Sequence, residues 1–279
     1  MNNKLKIIDI IRQHVADEDS FPVLSPQAIQ LQGAITQKDL DFDVIKKLIR
    51  TDPTLTSKIL KVANSSFYMG LGEVETIKDA LVRLGQNELV NIIMRVIHKQ
   101  NFSSANPMIR GFQNRLWDHS VACAIGTLWT TRYLKMEELI PKAFIAGLLH
   151  DMGKLCILSA LEKMSTTDIP GFTLTPDLMD KILTSLHTHQ GHALLSRWHL
   201  PIRYCCIAKD HHTDTYDSSD MLLNIVRLVN MVCNKMEQND PGQDLAFIIG
   251  SQEADILGIP ETGVALLEIA LEDARAKQS

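Results

Sequence analysis

Ala143-Phe144-Ile145-Ala146-Gly147-Leu148-Leu149-His150-Asp151-Met152-Gly153-Lys154 is the stretch from which both the fold and the chemistry can be read. It reads as an apolar helix that ends in a neighbouring histidine and aspartate, then Gly-Lys. Imidazole and carboxylate suit a divalent metal, and such an ion can activate water against a phosphate ester. The function turns on whether the rest of a metal site accompanies this pair.

Working outward, almost every segment reads as helix. Apolar residues recur at helical spacing, β-branched residues sit inside those patterns, and no Asn-Gly or Asp-Gly hairpin dipeptide occurs. Leu5-Lys6-Ile7-Ile8-Asp9-Ile10-Ile11 opens an amphipathic helix. After the loop from Phe21, Ser25-Pro26 supplies a cap and a first-turn proline for a second, and a third covers 42–51. Asp52-Pro53 repeats that start, with Leu55, Ile59, Leu60 and Ala63 as a buried face. Thr76-Ile77-Lys78-Asp79 resembles a capping box with aspartate in the glutamate position. Gly85 punctuates that helix, and an apolar one resumes from Glu88 to His98. Ser103-Ser104-Ala105-Asn106-Pro107 is the best internal boundary, being short, polar and closed by proline. Beyond it, helices are expected around 109–134, 137–149, 176–197, 202–211, 220–238 and 261–276. The expected fold is all-α, with an amino-terminal helical part at 1–105 and a larger helical core at 106–279. The two are expected to share an interface, because the break is too short for an independent linker.

Of the 279 residues, 45% are hydrophobic and 22% charged, ordinary values for a globular protein. A formal charge of −5 argues against a broad nucleic-acid or anionic-membrane surface. Residues 1–20 carry Asp9, Asp17, Glu18 and Asp19 and lack the apolar core of a targeting peptide. No apolar run is expected to approach the roughly 20 residues that span a bilayer. The five cysteines (Cys123, Cys156, Cys205, Cys206, Cys233) form no Cys-x-x-Cys pair and fit buried free thiols of a reducing cytoplasm.

Two sets of residues carry a family resemblance. In the second half Trp117-Asp118-His119, His150-Asp151, His187 and His211-His212 resemble the HD superfamily of metal-dependent phosphohydrolases. In the first half Phe21-Pro22-Val23-Leu24-Ser25 with Ala28, Asp52-Pro53-Thr54-Leu55-Thr56, Ile59-Leu60-Lys61-Val62-Ala63-Asn64-Ser65 and Thr76-Ile77 with Ala80 and Leu84-Gly85 resemble the HDOD (HD-related output domain) group. The resemblance covers roughly 15–270 as one integrated unit, with an HD-like core.

It implies a metal site with His119 as first histidine and His150-Asp151 as the doublet. His187, His211 and His212 match the added histidines of members that hold two metals. The implied ion is divalent: Fe, Mn, Mg or Zn. In an active member Asp151 would be catalytic and Lys154 would contact phosphate. The family's later aspartate falls in the helix at 222–232, where this chain carries Asn230. An amide oxygen is neutral, so the four-ligand site drops from two negative charges to one, and asparagine is a poor base. After His211-His212 comes Thr213-Asp214-Thr215-Tyr216-Asp217, without the Gly-Tyr-Pro of the HD-GYP branch, which argues against cyclic di-GMP hydrolysis.

Six of the 10 histidines fall between His187 and His212. His187 projects to the edge of an apolar helix side, four residues before Gly191, where backbones can approach closely. His189 and His192 share a polar stripe with Ser185 and Ser196 and read as surface residues. His199, before Leu200-Pro201, reads as a turn, while His14 and His98 belong to first-half helices. His211-His212 fit a polar helix end as readily as a ligand pair. Asn64, Ser65, Ser66 and Tyr68 read either as helix-end residues or as the lining of a groove for a partner or ligand.

Two functions stay open. The HDOD resemblance implies a bacterial-type signal-transduction module, non-catalytic and cytoplasmic. It would bind a protein partner in trans, or a small phosphate-containing ligand, through a degenerate pocket. The alternative is a metal-dependent phosphohydrolase acting on a nucleotide or other phosphate ester. Asn230 and the missing Gly-Tyr-Pro favour the first.

Overall fold

The computed structural model describes residues 53–65, 73–99, 104–165, 173–238 and 245–276. The helices expected before residue 52, the 21–26 loop, His14, Asp52, the Leu55 and His98 side chains, Ser66, Tyr68, Ser103 and residues 166–172 lie outside the described residues. Among the described residues every regular element is helical and none is a strand. They fall into two compact units, one within 23–103 and one from Ser104 onward.

In the first unit α1 (Pro53–Ala63), α2 (Ile77–Leu84) and α3 (Gln86–Lys99) pack on one another. Ile59, Ala63, Val74, Ala80, Leu89 and Ile93 are buried there. Thr76 caps α2: its Oγ1 accepts from the Asp79 amide at 3.1 Å and donates to the Asp79 carboxylate at 2.6 Å. Aspartate is one methylene shorter than glutamate, so it takes the cap's hydroxyl instead of reaching back to the cap's amide. Asn64 is spent on Val74, its Oδ1 accepting from the amide at 2.7 Å and its Nδ2 donating to the carbonyl at 2.8 Å. Ser65 Oγ donates to the Val62 carbonyl at 2.7 Å. Both residues thus fasten the end of α1 in the manner of a helix terminus.

In the second unit α4 (Pro107–Tyr133) is the axis, 27 residues and about 40 Å long. Asn106 caps it, accepting from Met108 and Ile109 amides at 3.0 and 3.4 Å, and Pro107 fills the first position, which needs no donor. Against α4 pack α5 (Ile140–Leu149), α6 (Met152–Ser165), α9 (Met221–Gln238) and α12 (Glu261–Ala276). α7 (Pro176–Arg197) lies on α6 and on α8 (Ile202–Asp210). The short α10 (Leu245–Ile249) and α11 (Gln252–Leu257) pack beside α9. His199, at φ 55°, closes α7 in the left-handed conformation, and the Leu200 amide then reaches the Leu195 carbonyl at 3.0 Å.

Three features depart from the sequence expectation. The helix expected from 137 starts as a 3₁₀ turn, Glu137–Leu139, and becomes α-helical at Ile140. The helix before His150-Asp151 ends at Leu149, as expected, but a further helix that the sequence reading did not include, α6, begins at Met152. Finally, Glu137–Ser165 is long and apolar enough to cross a membrane by length and composition, against the expectation of no such run. Its most apolar window is 89% buried inside the protein, so those side chains form core.

Candidate metal centre

Asp151 sits in the bend between α5 and α6, and two glycines let neighbouring helices grip that bend. A Cβ at Gly147 would stand 2.5 Å from the Cys123 carbonyl oxygen, so α5 meets α4 there through glycine. A Cβ at Gly153 would overlap the His187 carbonyl and stand 2.5 Å from the Gly191 amide, so α6 meets α7 by the same device. His119 then reaches the bend from α4, His187 from α7, and His211 from the end of α8.

The Asp151 carboxylate divides these groups between its two oxygens. Oδ2 faces His119 Nε2 at 3.5 Å, His150 Nε2 at 3.6 Å and Lys154 Nζ at 2.5 Å. Oδ1 faces His187 Nε2 at 3.5 Å and His211 Nε2 at 3.4 Å, and those two nitrogens stand 3.3 Å apart. The His212 ring lies 4.3 Å from that of His211 and 5.2 Å from that of His187. His119, His150, Asp151, His187 and His211 are between 0 and 4% exposed. His212 is exposed and Lys154 partly so. All six residues named as ligands from the sequence are therefore in one cluster. Asn230 is buried on α9, its Oδ1 accepting from Asn234 at 3.3 Å. His189 is exposed and His192 partly exposed.

The second nitrogen of each buried imidazole fixes which way its proton points. His150 Nδ1 donates to the Gly147 carbonyl at 2.7 Å, His187 Nδ1 to Leu183 at 2.8 Å, and His211 Nδ1 to Ala208 at 3.0 Å. Carbonyls only accept, so Nδ1 carries hydrogen, and Nε2 of the neutral ring is a bare lone pair. His119 Nδ1 donates likewise to Glu237 at 3.1 Å. Burial pushes His187 down to about 4 and His150 well below its usual value, which keeps both neutral at pH 7. Burial also pulls His119 down, but the Glu237 hydrogen bond and Asp151 outweigh it and raise its pKa. For Asp151 burial works upward, and Lys154 with His150, His211 and His187 overcomes it, holding the carboxyl well below the usual range.

The bare Nε2 atoms of His150 and His187 therefore face the Asp151 carboxylate, and His150 Nε2 and Asp151 Oδ1 are buried without a hydrogen-bond partner. A cation resolves that conflict. Ligands about 2.0–2.1 Å from a tetrahedral ion stand about 3.4 Å from one another, close to the 3.3–3.6 Å separations of the cluster. The group has the composition and spacing to hold a metal.

Three residues that sequence reasoning did not single out support it. Glu237 orients His119 and is itself held by Arg275 at 2.9 Å. Cys123, one turn after His119, puts Sγ 3.5 Å from His119 Nε2. Arg227 clasps the turn after His211-His212: it donates to the Asp210 and Thr213 carbonyls at 2.9 Å each and to Glu253 at 2.6 Å, beneath the Tyr216 ring. A lone cation inside the apolar 222–232 helix was the available signal. Arg227→Met is expected to cost about 2 kcal/mol in urea unfolding. That is less than a dry pair (~3–5 kcal/mol), because Arg227 keeps 14% exposure and Tyr216 stays with Glu253. An unchanged midpoint would show that the clasp is dispensable.

The HDOD domain model matches residues 21–214, more than half of the chain. The chain belongs to the HDOD family. Its fold is that of other HDOD-like structures. A candidate metal-dependent phosphohydrolase from Shewanella amazonensis SB2B aligns with TM-score 0.68 at 18% identity, covering 97% of this HDOD chain and 100% of its own. An HDOD domain protein with unknown function from Geobacter sulfurreducens gives 0.64 at 21%, covering 95% and 97%. A candidate signal transduction protein from Marinobacter aquaeolei VT8 gives 0.63 at 16%, covering 97% and 63%. An uncharacterized protein of Treponema pallidum (strain Nichols) is 25% identical over 238 residues. That stretch is 83% of this HDOD chain but 46% of the relative, so the chain spans about half of that protein's length.

Proposed function

We propose that this HDOD chain is a signal-transduction module whose His–Asp cluster binds a divalent ion without turning over a substrate. Burial carries the reading. Five of the donors are between 0 and 4% exposed, which suits a closed structural site, whereas a catalytic ion keeps a position open for substrate. The proposed ligands are His119, His150, Asp151, His187, His211 and His212, with Asn230 at the degenerate aspartate position. Fe, Mn, Mg and Zn are the candidate ions. When bound, such an ion supplies Lewis acidity. Asp151 would set the charge of the site, and Glu237 would keep the His119 lone pair turned inward. The proposed partner is a protein of a cytoplasmic signalling pathway, in keeping with the Marinobacter relative's name.

A residual phosphohydrolase is the second reading, favoured by one observation. Lys154 is partly exposed beside Asp151, and His212 is exposed next to it, so a small phosphate-containing ligand could meet a cation at the edge of the cluster.

The test titrates Mn, Fe, Mg and Zn into wild type, Asp151→Ala and Asn230→Asp, with hydrolysis of a phosphate monoester and a cyclic dinucleotide followed in parallel. Ion binding without turnover is expected for wild type. Asn230→Asp should tighten binding roughly tenfold, because a carboxylate replaces a neutral amide. Unchanged affinity would remove Asn230 from the site, and rapid hydrolysis abolished by Asp151→Ala would overturn the non-catalytic reading.

A further inference from the structure

We infer that Cys123 is itself a metal ligand, so that the Oδ2 side of the cluster is a mixed nitrogen and sulfur site formed by His119, Cys123 and His150 beside Asp151. The inference rests on the metal-binding reading above and assigns the kind of ion: one that accepts thiolate, such as Zn, Co or Fe, ahead of Mg or Mn.

Four observations carry it. His119 and Cys123 are four residues apart on α4 and so share a helix face. Sγ stands 3.5 Å from His119 Nε2, and ligands at about 2.3 Å for sulfur and 2.0–2.1 Å for nitrogen around one tetrahedral ion would be separated by about 3.5 Å. The candidate ligand atoms of His119, Cys123 and His150 all lie within 4.8 Å of one another, and all three residues are buried. Within that group His150 Nε2, whose residue is 1% exposed, has no hydrogen-bond partner, and its tautomer leaves a lone pair free. The crossing at Gly147, against the Cys123 backbone, brings the α5 end and its His150 to this thiol.

A plain core cysteine would also be buried here, and Cys123 does pack among Ile225, Val229 and Val232 of α9. Packing does not account for the spacing to two imidazoles, one of which, His150, keeps a buried nitrogen without a hydrogen-bond partner. Cys123 is a free cysteine, and its thiol carries a proton until a metal displaces it. Forming the metal–sulfur bond therefore breaks the S–H bond and releases that proton to solvent, leaving one more negative charge in the site.

The experiment uses the full chain, reduced and stripped of metal, titrated with Co(II) alone. Wild type is expected to show visible d–d bands together with an intense near-ultraviolet thiolate-to-cobalt charge-transfer band. Cys123→Ser should lose the charge-transfer band, keep the d–d bands and bind Co(II) at least about tenfold more weakly. Cys233→Ser should keep both. If wild type shows d–d bands without charge transfer, the cluster binds metal and the cysteine inference fails alone. If it shows neither, the metal-binding reading fails with it. A charge-transfer band that survives Cys123→Ser assigns the sulfur elsewhere and overturns the inference. X-ray absorption on the zinc-loaded wild type needs no variant: a sulfur shell at about 2.3 Å supports Cys123, and a shell of nitrogen and oxygen alone overturns it.

Discussion

Divalent-ion affinity is expected to fall by more than about a hundredfold in Asp151→Ala, beyond the ~10–100-fold that loss of an outer partner costs. Among the described residues Asp151 is the one carboxylate that faces both halves of the cluster, His119 and His150 through Oδ2, His187 and His211 through Oδ1. Removing it takes away the negative charge and a donor from each half at once. The folded protein should survive, because Lys154 is 26% exposed and its ammonium can turn to water once its partner is gone. Asp151→Asn separates shape from charge: it should weaken binding nearly as much while preserving packing. Both are best measured by competition against a chelator in a His189→Ala, His192→Ala background, which removes the i, i+3 surface pair. Affinity within tenfold of wild type would show that the ion sits elsewhere.

Gly153→Ala should cost more than about 3 kcal/mol, above the usual range for an added methyl, because the obstruction is main chain. The new Cβ would meet the His187 carbonyl and the Gly191 amide, and neither can rotate away as a side chain could. α7 must therefore move off α6 and carry His187 with it, so metal affinity should fall along with stability. Gly111→Ala is the matched control. Gly111 is also inside a helix, on α4, with nothing within 4 Å of its would-be Cβ. That substitution should stabilise by roughly 0.5–1 kcal/mol through lower unfolded-chain entropy. Urea midpoints for the pair decide the matter, and a Gly153→Ala midpoint equal to wild type would mean the α6–α7 crossing is not held by that contact.

The same glycine explains what the sequence reveals and what it conceals. Helical periodicity around 143–149 is plain, since each residue from Ala143 to Leu149 is buried. Gly153 reads locally as a breaker, yet α6 runs straight through it because a backbone crossing needs the missing methyl more than the helix needs a better former. The cap at Thr76 was legible, where one side chain answers a local backbone donor, whereas 103–107 was read only as a boundary and the cap that Asn106 supplies there was not. The ligand-type histidines were legible through the family pattern. Their grouping is a matter of helix crossings, which no local window contains. Cys123 stayed hidden because a thiol in an apolar helix looks like core until the neighbouring helix supplies His150. Glu237 stayed hidden because its partner, His119, is 118 positions away.

The cluster's donors come from residues 119 to 212, on α4, the α5–α6 bend, α7 and the turn after α8. An unfolded chain holds them tens of ångströms apart and offers no site, so an ion that fits the cluster binds the folded protein alone. Free ion then acts by mass action on the folding equilibrium, adding about 2.7 kcal/mol at a hundred times the dissociation constant. For a domain whose whole margin is about 5–15 kcal/mol, that is a sizeable fraction. Scarcity of the ion would be felt first as faster proteolysis and turnover, before any signal is passed on. An ion held there as proposed would make the protein's abundance follow metal supply.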